Sequence, residues 1–252
     1  MKYYKLDRDT KAYLKRMAVD GIKTPADIYS VNDFVVGLKD LNLWGNVVFW
    51  PLRANQNAGT GLTAYSLGGL GTYNGTLVNS PSWQANGITV TSTATIRDNF
   101  GAPTFPVSLI VVGRRVAGTG SAQWEYVSST IFRSFAKRMY VNNSAGIGIS
   151  AGGYVMLVDN NALTLTDNFE LVGGIVPSAT NSQAEFFVNT TKPAQTAGAA
   201  IWGAGSASGA TLRTTLDGQF QASFHAVFNI SINVPIFYNL YKSTLGKGLA
   251  LP

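Results

Sequence analysis

The sequence has no cysteine, a single histidine (His225) and only three glutamates (Glu125, Glu170 and Glu185) in 252 residues. Without cysteine there is no disulfide framework and no thiolate-held zinc or iron–sulfur centre. One histidine excludes a multi-histidine metal site and leaves any histidine-dependent triad one candidate base. Charge is sparse altogether, at 13% of residues against about a quarter in average soluble chains. Such a surface suits a subunit held against neighbours better than a freely diffusing monomer. The net charge of +6 reflects the shortage of glutamate, so nucleic acid is a possible partner but not an implied one, and is not expected.

Long apolar runs are missing too. No window approaches the roughly eighteen apolar residues of a membrane span, and the stretch from Met1 to Arg8 is charged where a signal peptide would be apolar. The expectation is a soluble product of a reducing cytoplasm with no membrane insertion.

What is present is 46% hydrophobic and 12% aromatic, enough for one large folded unit. For this mass the scaling relations give about 39,000 Å² exposed when unfolded and about 11,000 Å² when folded. Two regions differ in kind. Residues 1–45 hold six of the ten aspartates and read as helical. Asp9 is placed to cap a helix ending near Val19, with Tyr13, Leu14 and Met17 along one edge. Thr24-Pro25 opens a second helix that runs to about Asp40. Its Ile28, Val31, Phe34, Val35, Leu38 and Leu41 recur at three- and four-residue steps, so that face docks on the chain's own sheet or on a partner.

From Val47 the period changes to two. Residues 46–252 read as one antiparallel β domain with candidate strands at Val47–Leu52, Gly87–Thr95, Val107–Gly113, Gln123–Ser134, Lys137–Val141, Gly153–Asp159, Thr164–Val176, Gln183–Thr190, Ala210–Leu216 and Gln219–Ile232. In the last, Phe224, Ala226, Phe228, Ile230 and Ile232 alternate with Ser223, His225, Val227, Asn229 and Ser231, which predicts one core face and one mostly polar face. The first and last strands are expected side by side. A closing helical turn, Ile236 to Thr244, precedes Leu245-Gly246 and the apolar end at Leu249 and Leu251.

Catalytic sets are thin. Glycoside hydrolysis needs paired carboxylates across one cleft, yet the β region has only Asp98, Glu125, Asp159, Asp167, Glu170, Glu185 and Asp217, no two of them at i, i+2 on one predicted strand. His225 with Ser223 two residues away reads as a surface or hydrogen-bonded histidine before a catalytic base. Gly68-Gly69-Leu70-Gly71 lacks the lysine and hydroxyl of a phosphate loop and reads as a turn. Arg114-Arg115 and Arg133 with Lys137-Arg138 are the basic concentrations, with Trp124 and Tyr126 near enough in sequence for a stacking platform. Asp159-Asn160-Asn161 and Asp167-Asn168 offer oxygens that suit calcium, but Asx turns account for them without a metal. The sequence calls for no catalytic residue, metal ligand or cofactor.

Three stretches together resemble a known family. Trp50-Pro51-Leu52 through Tyr73-Asn74-Gly75-Thr76-Leu77, then Pro81-Ser82-Trp83-Gln84-Ala85-Asn86-Gly87-Ile88, are similar to the opening of concanavalin A-like, laminin G-type jelly rolls. Phe186-Phe187-Val188-Asn189-Thr190-Thr191-Lys192 resembles their tyrosine-valine-asparagine-glycine hairpin, with Thr190 in place of the glycine. Asp217-Gly218-Gln219-Phe220, the run His225 to Asn229, and Asn239-Leu240-Tyr241 resemble their closing strand and short helix. The stretches Phe34 to Trp44 and Leu240 to Pro252 resemble a layout of tailed-bacteriophage virion proteins. The resemblance implies a mainly β fold: a two-sheet antiparallel jelly-roll sandwich (concanavalin A-like) with an N-terminal helical segment and a short C-terminal helix. It implies a non-enzymatic structural protein on the exterior of a phage particle, as head decoration or a tail-associated subunit. Its partners would be other virion proteins and further copies of itself. The alternative is a carbohydrate-binding host-attachment module for a surface glycan, and the third reading a glycan-degrading enzyme. Ile28, Phe34, Leu38, Leu249 and Leu251 are the candidate interaction residues.

Overall fold

The computed structural model describes residues 5–17, 25–100, 106–117, 122–128, 132–139, 144–149, 153–158, 168–177, 184–197, 207–214 and 219–252. Helix α1 (Arg8–Met17) is capped two residues earlier than the sequence suggested, by Asp7 rather than Asp9. The Asp7 carboxylate accepts the Asp9 amide at 2.8 Å, satisfying one orphan donor of the first turn. Helix α2 (Pro25–Asp40) runs as expected. It stops where Asn42 takes a left-handed φ of 57°, which lets Leu43 N–H donate to Leu38 and Asn42 N–H to Lys39, a complete Schellman ending. Lys39 then reaches back to Asp7 and Asp9, 2.7 Å from each. Helix α3 (Val234–Ser243) is capped by Asn233, whose side chain accepts the Ile236 amide, with Pro235 in the first turn.

The strands in chain order are β1 (Val47–Pro51), β2 (Thr63–Ala64), β3 (Gly75–Val78), β4 (Ser82–Gln84), β5 (Gly87–Val90) and β6 (Thr95–Arg97). Then come β7 (Val107–Ala117), β8 (Ala122–Ser128), β9 (Phe132–Met139), β10 (Ser144–Ile149) and β11 (Gly153–Val158). The last are β12 (Glu170–Val176), β13 (Glu185–Val188), β14 (Gln195–Ala197), β15 (Ala207–Thr214) and β16 (Gln219–Phe228). They form two antiparallel sheets. One is ordered β13-β12-β7-β16-β5-β4, with β1 also on β16; the other is β14-β11-β10-β9-β8-β15-β6-β3-β2. The run Gln123–Ser134 is not one strand: β8 and β9 pair with each other, Tyr126 opposite Arg133. Strand β10 is not among the candidate strands, although Ala145, Ile147 and Ile149 alternate with Ser144, Gly146 and Gly148. The candidate strand end at Asp159 and the segment 164–167 lie outside the described residues.

The first and last strands do pair, Val47 opposite Phe228 through Pro51 opposite Phe224. The expected polar face of β16 is not there. Val48, Trp50, Val227 and Ala222 join Ala64, Leu77 and Ile96 of the facing sheet in one apolar cluster. Val47, Phe49, Phe224, Ala226 and Phe228 join Val31, Phe34, Leu38, Phe237 and Tyr241 of the helices in a second. The seven-stranded sheet is therefore the middle of three layers, and where the helices cover it its strands carry apolar residues on both sides. Phe34 is the hub of the helical layer, its ring 5.1 to 6.2 Å from those of Phe49, Phe224, Phe237 and Tyr241 in edge-on geometry.

The turn at Gly68 is forced by contact. Its φ is +129° and an added Cβ would lie 2.0 Å from the Val47 carbonyl oxygen, while the Gly69 and Leu70 amides bond to Trp44 and Val47. This is a tight crossing over β1, as a turn reading requires. The hairpin Phe186–Lys192 forms with Asn189 in the left-handed position (φ 55°). Val188 and Thr191 exchange backbone bonds around it, so Thr190 has no need to be glycine.

Candidate functional site

The residues singled out from sequence are mostly inside the molecule. Phe34 and Leu38 have no exposed surface, and Leu249 and Leu251 keep only a few per cent; Ile28 is half-buried. They fasten helices and tail to the sandwich. The tail is also clasped by polar groups: Arg53 donates through Nη1 to the carbonyls of Leu245 and Lys247 and through Nε to Ala85. Gln56 donates to Leu245 as well, and the Tyr13 hydroxyl donates to the Gln56 carbonyl.

His225 is completely buried, with its ring 4.2 Å from that of Trp50, its cross-strand partner. Burial pulls its pKa down to about 3, so it is neutral at physiological pH. Ser223 does not share its face. Between Ala222 and Phe224 the β16–β7 register shifts by a bulge, which turns Ser223 toward the helices, 3.2 Å from the Tyr241 hydroxyl, and His225 into the sandwich. No serine–histidine pair exists here. Among the carboxylates, Asp98 and Glu170 are buried and Glu185 is paired with Lys192 at 2.6 Å. Asp159, Asp167 and Asp217 lie outside the described residues. Among the described residues, no group of three histidine, aspartate or glutamate side chains could hold a metal.

A different arrangement emerges from strand register. Ser82 is opposite Thr89, Thr89 opposite Gln221, and Gln221 opposite Arg114. Four adjacent strands, β4, β5, β16 and β7, thus set four polar side chains in one line across the sheet, about 14 Å long at the usual strand spacing. All four point to the outer face, since their neighbours Trp83, Ile88, Val90, Phe220 and Ala222 face the interior between the sheets. The line lies past the bulge, beyond the phenylalanines that the helices cover. Ser82 and Gln84 are exposed, Thr89 and Arg114 partly so, and Gln221 lies beneath them.

The hydrogen bonds run in one direction. Arginine donates only, so the Nε of Arg114, 2.9 Å from Gln221, fixes that amide oxygen toward it. The Gln221 nitrogen must then donate to the Gln84 oxygen, at 2.6 Å. The Gln84 nitrogen in turn faces the hydroxyls of Thr89 (3.1 Å) and Ser82 (3.4 Å). The Arg114 guanidinium lies over the Phe169 ring, 5.0 Å from its centre. Gly87 holds β4 and β5 in place: its φ is +144° and a Cβ would lie 2.2 Å from the Ala222 carbonyl oxygen. Arg114 was among the basic residues visible in the sequence; Ser82, Thr89 and Gln221 carried no signal singly, because only the register assembles them. The side chains of Arg115, Trp124, Tyr126, Arg133, Lys137 and Arg138 lie outside the description.

These features define a class, a two-sheet antiparallel jelly-roll sandwich with helices on one face and a rigid polar line on an open part of that face. No family model and no curated protein matches the sequence. Solved structures do match. The binding domain of botulinum neurotoxin serotype D aligns over 79% of this chain and 52% of its own, with TM-score 0.55 and 8% identity. The ligand binding domain of that serotype in complex with N-acetylneuraminic acid aligns over 81% and 52%, with TM-score 0.53 and 8% identity. The serotype G binding domain aligns over 77% and 50%, with TM-score 0.50 and 9% identity. The likeness is one of fold, and the chain spans about half the length of these structures.

Proposed function

We propose that this chain is a carbohydrate-binding attachment module that works by binding alone, with Ser82, Gln84, Thr89 and Arg114 as its contact surface and Gln221 bracing them from beneath. The observation that carries the reading is the register that lines up Ser82, Thr89, Gln221 and Arg114 across four strands on the outer face, with Gln84 beside them and bonded to the line. Sugars are recognised by donors and acceptors held still against ring hydroxyls, and side chains locked to one another on a sheet meet that need. That a domain of similar fold has been solved with N-acetylneuraminic acid supports it, as does a neutral, buried histidine that is no general base. Localisation on the outside of a tailed-phage particle rests on the sequence resemblance. A glycan array probed with the intact protein tests the module. Binding weakened about tenfold or more by Gln84→Ala with Thr89→Ala, with melting temperature unchanged, is the expected result; no glycan bound by the wild type overturns the reading.

A second reading, a virion subunit working through protein contacts, is favoured by exposed apolar side chains on the helical layer: Tyr29, Val36 and Ile236 are 37%, 38% and 49% exposed. Washed particles that lack the protein would refute it.

A further inference from the structure

We infer that the Arg114 end of the polar line takes a carboxylate, so that the preferred ligand is a sugar bearing a single carboxyl group followed by neutral rings. The inference rests on the glycan-binding reading above and assigns the chemistry of that same site. Lys39 meets Asp7 and Asp9, and Lys192 meets Glu185, while Arg16 and Arg53 are spent on neutral oxygens, most of them backbone carbonyls. Arg114 instead stands on the partly exposed polar line. Among the described residues its partners are the amide oxygen of Gln221, through Nε, and the face of Phe169. Neither cancels the charge.

Those two contacts fix the guanidinium plane. One side of the fork is spent on Gln221, and Phe169 supports the flat face, while Nη1 and Nη2 form no bond among the described residues. A pre-oriented pair of N–H groups is the geometry that a planar carboxylate accepts side by side. Lysine could not reproduce it, having one point charge and no fixed fork. The next groups along the row, at β16, β5 and β4, are amides and hydroxyls without charge. A ligand that matches the line therefore carries its anion at one end and hydroxyls along the rest. A densely sulfated chain, which needs a cation every few ångströms, does not fit a row with one cation among its described side chains.

Two kinds of sugar supply an isolated carboxylate, the sialic acids and the uronic acids, and the experiment separates them. The intact protein is titrated with sialyllactose, with a glucuronate-containing disaccharide, with the methyl ester of each, and with lactose. One acid or the other should bind about 10- to 100-fold more tightly than its own ester, the range of one charge-assisted bidentate contact. Whichever shows the preference identifies the source. Arg114→Gln should bring the acid-to-ester ratio close to one, and Arg114→Lys should recover only part of it. Circular dichroism and melting curves establish that both variants are folded. Equal binding of acid and ester by the wild type, or a preference that survives Arg114→Gln, overturns the inference. If neutral lactose still binds in those cases and Gln84→Ala weakens it, the glycan-binding module stands without its carboxylate site. If none of these sugars binds but the array shows another glycan bound, the carboxylate site falls alone; if the array is blank as well, both fall.

Discussion

A single residue shows how far alternation carries. Period two puts His225 and Ser223 on one face of the last strand, and an unbroken strand would do so; one extra residue at the bulge separates them. The bulge leaves no mark in composition, so the histidine's destination, a fully buried place beside Trp50 rather than the surface, was not legible. Burial gives it a measurable signature. In the unfolded chain His225 takes up a proton below its ordinary pKa of 6.5, whereas in the folded protein it resists down to about 3. The unfolded state therefore binds more protons throughout that window, and stability falls as pH drops through it. Between pH 7 and pH 5 the loss attributable to this group is about 2 kcal/mol. Urea titrations at the two pH values should show that difference for the wild type and not for His225→Phe. Equal slopes in the two proteins would mean that the imidazole is not held neutral. At Asp7, burial raises the carboxyl's pKa, but the bonds from Lys39 and the Asp9 amide outweigh it and hold the group below its ordinary value.

At the scale of elements, what the sequence made legible was amphipathicity with a strong period. The apolar steps of α2 predict a docking face, and Val31, Phe34, Val35 and Leu38 all become buried. The pairing of β1 with β16 follows from the jelly-roll resemblance. The polar line does not, because Ser82, Thr89, Gln221 and Arg114 are scattered over most of the chain and each looks like an ordinary polar strand residue. Only cross-strand register unites them. That register leans on the β4–β5 turn. Gly87→Ala would put a methyl group against the Ala222 carbonyl in a conformation that side chains rarely adopt. The substitution should cost about 3 kcal/mol and separate β4 from its place beside β16. Thermal unfolding reads the first effect; loss of glycan affinity at a temperature where the variant is still folded reads the second.

The whole molecule is a three-layer body whose accessible surface of 10898 Å² matches the roughly 11,000 Å² expected of a folded chain of this mass. Its helical layer and its tail are structural parts. Leu245, Leu249 and Leu251 are buried, and at about 2 kcal/mol each they contribute about 6 kcal/mol, a large share of the 5–15 kcal/mol by which domains are stable. Arg53 and Gln56 would also lose their carbonyl partners if the tail were removed. Deleting residues 244–252 should therefore leave a protein without a cooperative melting transition. A truncated chain that still melts sharply near the wild-type temperature would show that the tail is an appendage free to serve a partner.

The pairing of β1 with β16 also has a temporal side. The strand beginning at Val47 waits for the one ending at Phe228, so the middle sheet cannot close until most of the chain has left the ribosome. Both apolar faces of β1, and the face of α2 that covers it, stay open in the meantime. A fold closed by contacts so remote along the chain forms slowly, and its half-made forms are prone to aggregate. Yield in expression should therefore depend on synthesis rate and temperature more steeply than the stability of the finished molecule suggests.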